Sequence, residues 1–284
     1  MANTTATTAY RAKWFSSNIQ ATLKAALVAE KICQVDRSDS KYIWNPYGAA
    51  PTTVVQTIIG TYTPATYTTT NDTLEVINEF IVSEHIYDFE SVLGNYDMFA
   101  SRTEEMVASV ATSIDKSILN ALCEDATGAY TTPAGGFATA TNVGVITSEI
   151  CGKVAGYADA FRGLYCVIEN TDLPGVLQYE ATAGFSFADS ALNNGFVKSI
   201  MGVDFYVVRS GTFADGTYMA TTCTNVNHRV AGVKGVSTYA APRGIQYNEK
   251  TRSGYTGKEV VVWGYLGFKA WYNKLTLTID ITLV

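Results

Sequence analysis

His85 and His228 are the chain's two imidazoles, and they stand far apart in sequence. His85 lies between Glu84 and Ile86, and His228 follows Asn227. Neither has a His, Cys or carboxylate partner at the spacing a metal site needs. Each reads as a surface or satisfied structural histidine. The five cysteines, Cys33, Cys123, Cys151, Cys166 and Cys223, are odd in number, widely spaced and without a CxxC pair. They read as buried thiols, not as a disulfide framework or a zinc site. Glu104 and Glu105 fall in the first turns of a long helical stretch, where the positive end of the helix dipole favours them. Asp115 and Lys116 read as a helix-surface pair. No nucleophile elbow, phosphate-cradling glycine loop, dinucleotide fingerprint or HExxH pair is present. Asn3-Thr-Thr and Asn71-Asp-Thr match the glycosylation acceptor pattern, and a cytosolic chain would make both accidental. The expectation is a protein with no catalytic residues, no metal and no cofactor.

The element that must hold the rest is the stretch 95–123, NYDMFASRTEEMVASVATSIDKSILNALC. Phe99, Met106, Val107, Val110, Ile114, Ile118, Leu119 and Leu122 recur at intervals of three and four, the period of an amphipathic helix. Phe99, Val107, Val110, Ile114 and Ile118 are its expected core positions. At 1.5 Å per residue it would run about 40 Å, longer than a small domain is wide. The opposite face carries Arg102, Glu105, Ser109 and Lys116.

Composition narrows the class. The chain is 47% hydrophobic, 16% charged and rich in Tyr, with net charge −6. Average soluble chains are about a quarter charged, so the surface is unusually neutral or is covered by partners. Residues 1–41 carry six basic and three acidic residues, against 14 and 23 in the remainder. A mildly basic arm on an acidic body does not fit a protein that grips phosphate. The N-terminus lacks the apolar core of a signal peptide, and no run approaches the roughly eighteen apolar residues of a membrane span. The expectation is a cytosolic chain.

Along the chain, 2–10 is a small, Thr-rich polar lead. Residues 11–33 place Trp14, Phe15, Ile19, Leu23, Leu27 and Val28 at helical spacing. The stretch 52–72 is rich in Thr, Val, Ile and Tyr, with Gly60 and Pro64 near its middle and no charge before Asp72; it predicts a β-hairpin. A bare uncharged hairpin invites pairing, so another chain is expected to cover it. Residues 73–89 alternate as one long strand. After the helix come a loop at 128–142, a second helix capped at Thr147 or Ser148 and a central strand at 164–170. A short helix at 171–181 and strands at 199–211 and 217–223 follow, and 230–242 is ambiguous. The chain ends in strands at 245–252, 259–272 and 274–284, with Gly264 and Gly267 marking a bend or bulge. The helix and closing strands thus frame an inserted α/β unit.

This order of parts resembles the major capsid proteins of tailed bacteriophages, the Hong Kong 97-type phage capsid fold, an α+β class. The resemblance covers essentially the whole chain. It is carried by VINEFIVSEHIYDFES, by the helix with its SIDKSILNAL, by LYCVIENTDLPGVLQ and by KEVVVWGYLGFKAWYNKLTLTID, in that order. It implies an N-terminal arm at 1–41, with Arg11, Trp14 and Phe15 touching a neighbour. It implies a peripheral domain at 42–47 and 74–139 whose spine helix is 95–123. The extended loop would be 48–73, with Val54, Ile58, Ile59, Tyr62 and Tyr67 against another subunit. The axial domain would be 140–244, and 245–284 would close the peripheral domain.

The resemblance further implies self-assembly as pentamers and hexamers into an icosahedral head in the virion, after synthesis in the host bacterial cytoplasm. A separate scaffolding protein and a portal would be partners, and DNA would be enclosed without sequence-specific binding or membrane contact. Some members lock their shells through a lysine on the extended loop; residues 42–115 contain no lysine, so a shell without crosslinks is expected. Two other readings stand beside this one: an encapsulin-type nanocompartment, which shares the fold, and a phage tail-tube or decoration protein, which the long helix argues against.

Overall fold

Among the described residues, one long helix runs between two larger β-sheets, and two two-stranded ladders stand beside them. The computed structural model describes residues 27–48, 69–87, 98–154, 163–182, 196–251, 254 and 256–283. In chain order, helix α1 (Ala29–Ile32) and strand β1 (Gln34–Asp36) precede β2 (Tyr42–Gly48), β3 (Thr69–Glu75), β4 (Asn78–Ile86) and helix α2 (Met98–Asp125). Strand β5 (Gly128–Thr131), a 3-10 turn (Gly136–Ala138), helix α3 (Ala140–Val154), β6 (Leu164–Glu169) and helix α4 (Leu173–Thr182) follow. Then come β7 (Phe196–Ile200), β8 (Val203–Val208), β9 (Gly216–Tyr218), β10 (Thr221–Cys223), β11 (His228–Val233) and β12 (Ser237–Ala240). The last are β13 (Ile245–Lys250), β14 (Lys258–Ala270), a 3-10 turn (Asn273–Leu275) and β15 (Thr276–Asp280).

Helix α2 forms because its apolar positions repeat every three to four residues and no Gly or Pro interrupts them. It buries Met106, Val110, Ile114, Ile118, Leu119 and Leu122, while Val107 packs half-buried at the edge of the same core. One side of that core is the first sheet, through Val260, Val262 and Leu266 of β14. The other side is the second sheet, through Tyr165, Val167, Tyr206, Val208 and Val230.

In the first sheet β14 is the shared strand. It runs antiparallel to β4 from Lys258↔Ile86 to Leu266↔Asn78, and to β13 from Glu259↔Lys250 to Gly264↔Ile245. Its far end pairs with β12, which in turn pairs in parallel with β1. The expected bend at Gly264 and Gly267 is not in β14, which continues unbroken. The irregularity lies in the facing chain, where residues 241–244 loop out between β12 and β13 with Arg243 and Gly244 at φ 61° and 63°. Gly267 answers a packing need instead: a Cβ there would lie 2.6 Å from Leu74 Cδ2 and 3.0 Å from Glu75 O.

The second sheet has the order β5-β15-β11-β6-β8-β7. Strand β6 is buried at every position and central, as its unbroken apolar run predicts. Its alternate residues Leu164, Cys166 and Ile168 face a second core built with Val143, Ile146 and Ile150 of α3, Val176 of α4, and Phe137. The strand pairing divides the closing strands: β13 and β14 join β4, whereas β15 pairs with β11 and β5. Conversely β12, expected with the inserted unit, belongs to the first sheet.

Other boundaries also move. Residues 73–89 are not one strand, because β3 and β4 are separated at Val76–Ile77. The stretch 199–211 is the end of a hairpin, β7–β8, turning through Met201 and Gly202 at φ 52° and 80°. The stretch 217–223 is a second hairpin, β9–β10, turning through Met219 and Ala220 at φ 48° and 68°. Helix α3 starts at Ala140, not at Thr147 or Ser148: Thr147 is fully buried mid-helix, and its hydroxyl donates to Val143 O at 2.7 Å. The loop at 128–142 contains β5.

Candidate functional site

Among the described residues, His228, Asn120 and Asn225 are tied into the fold. His228, at the start of β11, has Nδ1 at 3.1 Å from Asn225 Oδ1 and Nε2 at 3.0 Å from Asp280 Oδ1. Both ring nitrogens therefore face oxygens of the protein, which leaves neither for a metal or for proton transfer to a substrate. Asn225 donates to Asn120 O at 3.0 Å, and the fully buried Asn120 donates to Lys116 O and Thr212 O at 2.8 Å each. This network sews α2 to the loops on either side of β9 and β10. His85, on β4, lies 3.3 Å from Thr256 O and edge-on to the Tyr87 ring.

Three of the buried charges form a closed set. Arg229 donates from Nε to Asp172 at 2.6 Å and from Nη2 to Glu169 at 3.2 Å, with all three side chains nearly inaccessible. Glu169 also accepts the backbone N–H groups of Gly211 and Phe213 at 3.0 and 3.1 Å. A desolvated ion triad survives only with its hydrogen bonds satisfied, and here they fix the loop after β8. Burial pushes the Cys33 thiol up to about 12 and raises those of Cys123 and Cys166 as well, so none supplies a thiolate near neutral pH. Among the described residues no cluster of three His, Cys, Asp or Glu side chains could hold a metal, and no helix is long and apolar enough to cross a membrane.

The surfaces are more informative. Strands β2 and β3 pair from Tyr42↔Glu75 out to Gly48↔Thr69 and lead directly into residues 49–68. The base of this hairpin is pinned to β14: Lys269 meets the Asp72 carboxylate and donates to Thr73 O at 3.0 Å, and Leu74 is buried against Gly267. A second pair, Lys41 to Glu75 at 2.9 Å, closes the ladder's first rung.

Beside the hairpin base, the first sheet turns a face with several large apolar residues outward. Alternation sends Val260, Val262 and Leu266 of β14 toward α2, and Val261, Trp263 and Tyr265 away from it. Ile81 of β4 is paired opposite Trp263 and is 59% exposed; Ile77, on the approach to β4, is 65% exposed. Tyr265 also lines an open groove of about 260 Å³ with Val76, Pro242, Arg243, Asp39, Ser40 and Lys41. The face thus sets Val261, Trp263, Tyr265 and Ile81 beside Glu79, Ser83, Gln246 and Asn248 of the flanking strands, a mixture found in contact surfaces.

Of the site residues expected from sequence, Val110, Ile114 and Ile118 are in the α2 core and Val107 borders it. Phe99 lies within α2, and its side chain is outside the described set. Val54, Ile58, Ile59, Tyr62 and Tyr67, and Arg11, Trp14 and Phe15, lie outside the described residues. One reading is corrected: Asp115 is not a surface partner of Lys116. It is buried, and its carboxylate accepts the backbone N–H groups of Val28 and Ala29 at 2.8 and 2.9 Å. Sequence reasoning also missed the outward face of Ile77, Ile81, Trp263 and Tyr265. Its one signal was that 73–89 places Ile77 and Ile81 on the side opposite Val76 and Phe80, so that both faces carry apolar residues.

No family model matches the chain, and no curated protein matches it. Solved structures do. The chain is similar to the capsid structure of the cyanophage P-SCSP1u, at 14% identity over 96% of this chain and 93% of that one, with TM-score 0.69. It is similar to a structure of Mycobacterium phage Che8 at 15% identity over 94% and 96% of the two chains, with TM-score 0.70. The mature capsid of bacteriophage PhiM1 gives 12% identity over 95% and 91%, with TM-score 0.68. The chain has the Hong Kong 97-type phage capsid fold.

Proposed function

We propose that this chain is the major capsid protein of a tailed bacteriophage and that many copies assemble, as pentamers and hexamers, into the icosahedral shell around the DNA. The observation that carries the reading is the match of some 95% of the chain to proteins solved as phage capsids. The chemistry is consistent with it: polar groups turned inward on one another, and Ile77, Ile81, Trp263 and Tyr265 turned outward among polar neighbours. Its work is then contact between copies, not catalysis.

In this reading the uncharged hairpin beyond Gly48 and Thr69 lies on a neighbouring subunit. Val54, Ile58, Ile59, Tyr62 and Tyr67 meet an apolar surface such as the one around Ile81 and Trp263. The hairpin brings no charge of its own to that contact, which keeps it inexpensive to form and to correct. Arg11, Trp14 and Phe15 belong to an N-terminal arm that reaches a second neighbour. The part of 140–244 that precedes β12 supplies the axial domain, and an acidic body keeps the DNA from being clamped to the wall. A scaffolding protein and a portal complete the partners.

Electron microscopy of the purified protein tests this. Closed shells are expected; open tubes, or particles of one subunit under all assembly conditions, would overturn it. Deleting residues 54–68 should leave a folded subunit, seen by circular dichroism, that no longer forms shells. Shells of normal stability from that variant would refute the role given to the hairpin.

A further inference from the structure

Strands β2 and β3 are each seven residues long and pair with one another. Such a ladder spans about 20 Å, and two strands by themselves are marginally stable at best in water. Its direction therefore depends on what ties it to the body. The two chain connections meet at one point: Val76 N donates to Lys41 O at 2.9 Å, which sets the entering and leaving chains side by side. Strand pairing breaks there, at Val76–Ile77, and Ile77 is exposed. The open groove lined by Lys41, Val76, Pro242, Arg243 and Tyr265 borders this junction. The junction thus has the place and the room of a hinge.

Further out along the ladder, one side chain of the body reaches across to it. Lys269 of β14 meets the Asp72 carboxylate and donates to Thr73 O at 3.0 Å. Both ends of this contact are set in advance. The Asp72 carboxylate also accepts Thr73 N at 2.9 Å. The Lys269 ammonium stands 5.5 Å from the centroid of the Trp271 ring, whose Nε1 donates to Thr238 Oγ1 of β12 at 2.7 Å. We propose that Lys269 is the clasp of a hinged arm: it holds the β2–β3 ladder alongside the end of β14, and on its release the ladder turns about Val76–Ile77.

The strengths of the contacts suit a clasp. The Lys269 and Asp72 side chains are 32% and 37% exposed. A pair this wet shifts an equilibrium by roughly two- to fivefold and weakens as salt screens it. A dry pair such as Arg229 with Asp172 would weld the arm in place. Leu74 lies two residues from the pivot, seated where Gly267 has no Cβ, so it stays put while Asp72, further out, swings. The Lys41–Glu75 pair joins the two strands at the pivot itself and does not resist the turn. The inference stands on the contacts of the ladder and does not depend on the shell reading.

The test is the distance between spin labels at Thr70→Cys on β3 and Asn248→Cys on β13. It is measured by double electron–electron resonance in the full chain carrying Cys151→Ser and diluted with unlabelled chain. At low salt one narrow distance distribution is expected. Lys269→Met and Asp72→Asn should each broaden it, and the double variant should broaden it no further. Added salt should broaden the parent distribution and leave those of the variants unchanged. The proposal is overturned by a parent distribution already as broad as the variants', by single variants as narrow as the parent, or by broadening that adds in the double variant. Should Lys269→Met not fold, Asp72→Asn, which alters the arm alone, decides by the same outcomes.

Discussion

Removing the guanidinium of Arg229 would strand two carboxylates, Glu169 and Asp172, where water does not reach them. Arg229→Met keeps the volume and removes the charge, and should cost about 3–5 kcal/mol, because an unpaired buried charge is worse than none. Urea denaturation of the variant measures this; a loss under about 1 kcal/mol would mean that the carboxylates find other partners or bind protons. The triad was not legible beforehand, since Arg229 lies 57 and 60 residues from its two partners and nothing local marks them as such. Asp115 and Asn120 were missed for a different reason. A periodicity argument assumes one wet face, whereas α2 has a sheet on each side, so polar residues off the main stripe are also buried. On such a helix a polar residue is a fastener, and its partner is long-range.

Among the elements, α2 was the most legible, its expected limits of 95–123 lying within a turn of Met98–Asp125. Ile114 sits across from Gly264 of β14, where its Cδ1 would be 3.7 Å from a Cβ, so the contact is close on the sheet side. Val110→Asp or Ile114→Asp should abolish folding as well as assembly, because each puts a carboxylate into a dry core without a partner. Soluble, cooperatively melting protein from either variant would show that the helix does not bear on β14 in this way. Central strand β6 was equally legible, from its six consecutive residues that need no wet side. The two short hairpins were not. Met219 and Ala220 turn with positive φ and no glycine, so the usual turn signal is absent. The turn at Met201–Gly202 does contain a glycine, but apolar residues on both sides read as one strand.

For the whole molecule, the order of elements pointed to the fold, and the similarity to solved capsids agrees with it. If shells form, gels of denatured particles should show a single subunit band, since residues 42–115 offer no lysine for a crosslink from the extended loop. A ladder of covalent multimers would contradict that expectation. Which strand joins which sheet was beyond the sequence, because neighbouring closing strands of similar composition go to different sheets. That partition has a kinetic side. Strand β15 lies between β5 and β11, so the six-stranded sheet has a gap near its edge until residues 276–280 have been made. Strand β5 emerges from the ribosome some 145 residues before β15, its partner among the described residues, and pairing over such separations is slow. A nascent chain can close the α3 and α4 side early, yet the subunit is finished only when its last described strand slots in. On the proposed shell reading this would keep synthesis and assembly apart in time, because a chain still growing lacks the completed six-stranded sheet.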